Sequence, residues 1–101
     1  MDIQFNTSSN IEGSDRLSDY FSSVINKSLN RFENHLTRVE VHLSEEGSNT
    51  AVKKCTLEAR LKNLNPLAVT NNGSSHEEAI KGAIEKLKRA IDTTTGRLSS
   101  H

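Results

Sequence analysis

The sequence predicts an α+β fold in the order β-α-β-β-β-α: a four-stranded mixed sheet with two helices on one of its faces. Three observations carry that expectation. Four short segments alternate apolar and polar residues with a period of two, so each strand has a single apolar side. Two longer segments gather their apolar residues on one helical stripe. The chain has 101 residues, of which 33% are hydrophobic, so it fits one compact domain with a core thin enough that every element must share it.

The first strand is Met1 to Asn6, where Ile3 and Phe5 alternate with Asp2, Gln4 and Asn6. Asn6 to Gly13 reads as a loop. Ser14 is a good N-cap, and Leu17, Phe21, Val24, Ile25, Phe32 and Leu36 then recur at helical spacing, predicting a helix to about Asn34. Val39, Val41 and Leu43 alternate with polar residues over Arg38 to Glu45, a second strand. The Gly-Ser-Asn of Glu45 to Thr50 supplies a hairpin connection. Cys55, Leu57, Ala59 and Leu61 make a third strand antiparallel to the second. After the turn at Asn63 to Pro66, Leu67 and Val69 form a short fourth strand that Asn71-Asn72-Gly73 closes.

Ser74 and Ser75 are each followed three residues later by Glu77 or Glu78, so either can open a capping box into the final helix. Its stripe is Ile80, Ala83, Ile84, Leu87, Ile91 and Leu98. Glu77/Lys81 and Glu85/Arg89 have the favourable acid-first i,i+4 order on its outer face. A helix between the first two strands makes them parallel neighbours through a right-handed crossover.

No apolar run approaches the ~20 residues that cross a bilayer, and the N-terminus has neither a basic start nor an apolar stretch. The single cysteine, Cys55, allows no internal disulfide, which fits a cytoplasmic protein. Thirteen Lys+Arg balance 13 Asp+Glu, but unevenly. Residues 1–50 hold 4 Lys/Arg against 8 Asp/Glu, and residues 51–101 hold 9 against 5. A protein neutral overall can still present a basic face.

Catalysis finds little support. Cys55 falls on the inward side of its strand, where it is a small core residue. His42 faces outward from a strand, and His35, His76 and His101 stand at a helix end, a helix start and the terminus, without zinc-like spacing. The 5 glycines are scattered and form no phosphate-binding loop. Asp15, Asp19 and Glu33 lie on the outer side of the first helix. We therefore expect no enzyme, no cofactor, no metal and no small-molecule substrate.

The basic residues are more informative. Arg16, Tyr20, Lys27 and Arg31 follow spacings of four, seven and four, a basic stripe with an aromatic set into it. On the last helix Lys86, Arg89 and Arg97 project outward, while Lys81 and Lys88 lie closer to the core edge. Lys53 and Lys54 add a cluster at the start of the third strand. Such rows can neutralise successive phosphates, and a Tyr can stack on an unpaired base. Glu77, Glu78, Glu85 and Asp92 share the last helix, so an ordinary solvated face explains the same composition equally well.

A resemblance decides between them. The run from Leu29 through Arg31, Phe32, His35, Leu36, Val39 and Val41 to Glu46 resembles the end of the first helix and the second strand of the ribosome hibernation-promoting factor and ribosome-associated inhibitor family. Lys54 to Arg60, Ala79 to Ile91 and Gly96-Arg97-Leu98 resemble its third strand and second helix, so the likeness covers nearly the whole chain.

The resemblance implies a double-stranded-RNA-binding-domain-like fold in a bacterial protein, which we expect to be cytoplasmic and monomeric. Its partner would be the small ribosomal subunit and its RNA near the decoding channel, with translation inactivated in stationary phase or stress. Carried over by position, Lys27, Arg31, Lys81, Lys86, Lys88 and Arg89 would touch ribosomal RNA. Modulation of a transcription sigma factor, a role attached to the family name, is the alternative. The better-known short members end the second helix in a dense Lys/Arg run, whereas this chain reads Asp92-Thr93-Thr94-Thr95-Gly96-Arg97. The second domain of long members has no counterpart in these residues. The expectation is thus a single-domain form over residues 1–98 with a frayed tail at 99–101.

Overall fold

The computed structural model describes residues 1–7, 14–45 and 52–99, leaving aside the side chains of 14 and 97–99. The strands are β1 (Asp2–Thr7), β2 (Leu36–Glu45), β3 (Lys53–Leu61) and β4 (Leu67–Gly73), and the helices α1 (Ser14–Leu29) and α2 (His76–Ser99). The predicted order holds. Asn6 and Thr7, where the expected loop begins, belong to β1, and Ser99, expected in the tail, ends α2. The rest of that loop, the β2–β3 connection, the tail beyond Ser99, the Ser14 cap and the burial of Leu98 fall outside the described residues.

The sheet runs β1-β2-β3-β4. β1 lies parallel to β2, with Ile3 opposite Val39 and Phe5 opposite Val41. The β2–β3 and β3–β4 pairs are antiparallel. Because successive side chains alternate, one face collects Val39, Val41, Leu43, Cys55, Leu57 and Ala59, all buried. Both helices close over it with Phe21, Ile25 and Leu29 from α1 and Ala79, Ile80, Ala83, Ile84, Leu87 and Ile91 from α2. Each large aliphatic side chain buried there contributes about 1.5–3 kcal/mol. The opposite face carries Gln4, Arg38, Glu40, His42, Thr56, Glu58, Arg60 and Thr70 and is polar throughout these positions.

On that open face Arg38 and Arg60 share Glu40, at 3.1 and 3.3 Å. Partial desolvation pushes the Glu40 carboxyl upward, but the two guanidinium groups outweigh it and hold the group below its ordinary value.

The first helix is shorter than its periodicity suggests. It ends at Leu29, and a 3-10 turn at Asn30–Phe32 follows, closed by the Glu33 N–H on the Asn30 carbonyl and the His35 N–H on that of Phe32. This tighter winding delivers Phe32 to the core and frees Leu36 to begin β2 rather than extend the helix stripe. An irregularity between Leu36 and Arg38 turns Thr37 outward, where its hydroxyl donates to the Arg60 carbonyl.

Asn71-Asn72-Gly73 also departs from expectation, continuing β4 opposite Cys55, Lys54 and Lys53. The Asn71 amide donates to the carbonyls of Glu78 and Ala79, tying the strand to the first turn of α2. That helix opens with half of the expected capping box: the Glu78 N–H donates to Ser75 Oγ, but the Glu78 carboxylate accepts from the N–H and hydroxyl of Ser74, one residue before the cap.

Candidate nucleic-acid interface

The two helices form the face turned away from the sheet, and their relative register follows from one contact and one electrostatic interaction. Arg31 meets Asp92 at 2.8 Å, across 61 positions of sequence. Tyr20 acts electrostatically on Lys81, the same offset further back. The helices therefore run in the same direction, and the row Tyr20, Val24, Lys27, Arg31 faces the row Lys81, Glu85, Lys88, Asp92. By this offset Lys27 is level with Lys88.

Tyr20 is 59% exposed, with its ring edge-on to Phe21 at 4.8 Å. The Phe32 ring holds the Arg31 guanidinium, 4.4 Å from its centroid. Arg16, Lys27 and Arg89 are exposed. Among the described residues no ion pair involves any of these three. Arg97 stands in the last turns of α2, beyond the described side chains.

Carboxylates interrupt this wall. Glu77 takes Lys81 at 2.7 Å, and the hydrogen bond and charge of Glu77 keep the Lys81 ammonium above its ordinary value. Glu85 sits by Lys88 at 3.5 Å instead of by Arg89 as the spacing suggested. With Asp92 on Arg31, the helical face alternates in sign rather than being uniformly positive.

The remaining basic residues are dispersed. Lys86 lies on the flank toward β4, where its Nζ donates to the Thr70 carbonyl at 2.8 Å. It thereby covers an edge that would otherwise offer unpaired backbone groups. Strand alternation sends Lys53 and Lys54 to opposite faces of the sheet, so they do not share a surface. Lys53 points to the helix side and pairs with Glu45 at 2.9 Å. His76, the first residue of α2, lies 3.7 Å from the same carboxylate. Desolvation and the Lys53 charge lower the His76 pKa against the opposing pull of Glu45, so Lys53 is the cation that Glu45 pairs with.

Cys55 is fully buried, and desolvation raises its thiol to about 12, consistent with a packing role. Among the described residues there is no cluster of His, Cys, Asp and Glu able to hold a metal and no helix long and apolar enough to cross a membrane.

Fold and surface together define a class: a small α+β domain with two helices packed on one face of a four-stranded mixed sheet and charges of both signs on their outer side. The chain belongs to the family described as sigma 54 modulation protein / S30EA ribosomal protein, whose model matches residues 5–99. The family is one of ribosome-associated modulation factors.

Several solved structures share the fold. One is the N-terminal domain of Protein Y from Thermus thermophilus, at TM-score 0.75 and 19% identity over 93% of this chain and 99% of that one. Another is a ribosomal subunit interface protein from Coxiella burnetii, at TM-score 0.73 and 12% identity over 95% and 99%. No curated protein sequence matches the chain.

Proposed function

We propose that this protein is a non-enzymatic translation regulator that binds small-subunit ribosomal RNA near the decoding channel and inactivates ribosomes in stationary phase or stress. The observation that carries the reading is membership, over residues 5–99, of a ribosome-associated family. The geometry supplies a mechanism. A four-stranded sheet with a continuous apolar face holds the two helices in fixed register, so cations from separate parts of the chain meet a phosphate array together. Arg16, Lys27 and Arg89 act as phosphate contacts at once, while Arg31, Lys81 and Lys88 contribute after exchanging their carboxylate partners. Tyr20 offers an aromatic surface to an unpaired base. Bound there, a domain of this size excludes messenger and transfer RNA by its volume alone. Lys53, Lys54, Lys86 and Arg97 stand outside this central row and belong to the RNA surface only at its margins.

Reversing three charges together, as Lys27→Glu, Lys88→Glu and Arg89→Glu, is expected to abolish cosedimentation with small subunits at low salt while leaving the far-ultraviolet circular dichroism unchanged. Undiminished cosedimentation contradicts the proposed face.

A second reading, modulation of a sigma factor, draws on the family's description and on the exposed acidic residues Asp15, Asp19 and Glu33. A pull-down with and without ribonuclease separates the two. Ribosomal partners are lost on digestion, whereas a protein partner is retained.

A further inference from the structure

We propose that Asp92 is an affinity-setting residue of the RNA surface: its ion pair with Arg31 occupies the guanidinium that a phosphate would otherwise take. The inference rests on the ribosomal reading above and adds to it a built-in competitor. Among the described residues, the other ion pairs on the helical face lie within one helix, at spacings of three or four. Among the described residues Arg31–Asp92 alone links α2 to the 3-10 turn that ends the first helical segment, at 2.8 Å. Both side chains are more than half exposed, at 58% and 53%, so the pair adds little to stability and its carboxylate remains displaceable.

Asp92 is not needed to orient Arg31, because the Phe32 ring already holds the guanidinium from below. What the carboxylate does is take one donor nitrogen of the fork, Nη2, through a single contact. Carboxylate and phosphate oxygens compete for the same planar fork. An RNA phosphate that takes the full fork of Arg31 must displace Asp92 from Nη2, and one that takes the remaining donors sits beside the carboxylate charge. Both effects weaken binding and reduce the number of phosphates neutralised.

The test is cosedimentation of the full chain with small ribosomal subunits over graded salt, for wild type, Asp92→Asn, Arg31→Gln and the double variant, with melting temperatures as folding controls. Asp92→Asn is expected to tighten binding about two- to fivefold. It should also steepen the salt dependence by about one phosphate. In the Arg31→Gln background the same change should yield a clearly smaller gain. Weaker binding by Asp92→Asn overturns the proposal and makes Asp92 a positioning group. An equal gain in both backgrounds overturns it too, leaving only general repulsion of phosphate. If wild type binds and Lys27→Glu disrupts that binding while Asp92→Asn changes nothing, the competitor role alone fails. If wild type binds at no salt concentration, the ribosomal reading fails and this inference with it.

Discussion

The side-chain amide of Asn71 occupies the space in which a Cβ on Gly82 would stand. Strand β4 and helix α2 are joined there by the two hydrogen bonds from Asn71 Nδ2, at 3.4 Å to the Glu78 carbonyl and 3.2 Å to that of Ala79. The glycine in mid-helix is thus the room for a cross-link.

Replacing Gly82 with Ala ordinarily strengthens a helix by up to ~1 kcal/mol. Here the opposite sign is expected, a loss of about 1–3 kcal/mol, because the methyl group evicts the Asn71 amide. In an Asn71→Ala background the obstacle is gone and Gly82→Ala should become stabilising. Urea melts of the four variants check the reversal, and additive effects would contradict it.

Cys55 should be unreactive in the folded protein. It is fully buried and its thiol is raised to about 12, so almost no thiolate exists near neutrality. Iodoacetamide at pH 8 is expected to leave the native chain unmodified and to label it fully in denaturant, read by mass spectrometry. Cys55→Ser should cost about 1–3 kcal/mol by burying a hydroxyl.

His76 makes stability depend on pH. Its pKa is lower in the folded state than the unfolded value of about 6.5, so the unfolded chain binds more protons in the window between them. The contribution is fully present above pH 6.5 and is lost as pH falls through the folded value. Melting temperature should therefore decline on acidification from pH 7, and His76→Gln should flatten that segment of the profile.

Lys86 has a structural duty distinct from RNA contact. Its bond to the Thr70 carbonyl covers the β4 edge. Lys86→Ala is expected to cost about 0.5–1 kcal/mol and to raise self-association at high concentration, measured by light scattering. Unaltered scattering would remove the edge-covering role.

The architecture was legible because period-two and helical spacings cannot be exchanged: Val39, Val41 and Leu43 make sense only as a strand, and Ile80, Ile84, Leu87 and Ile91 only as a helix. What escaped depended on tertiary contacts. Phe32 fits a helix stripe and a 3-10 turn equally well, and the choice is made where it meets the core. Asn71-Asn72-Gly73 carries turn chemistry, yet the Asn71 amide finds its partners in α2 and the strand runs on. Lys53 and Lys54 are adjacent in sequence, and the pleat separates them. Arg31 and Asp92 each look like solvated charges until the register of the two helices is known. No spacing within either helix contains that register.

The most direct test of the ribosomal reading is chemical probing of small-subunit RNA with and without the protein. The account predicts protection confined to nucleotides lining the decoding channel, and its loss with Lys27→Glu combined with Arg89→Glu. Binding without protection there, or protection that survives both reversals, would contradict it.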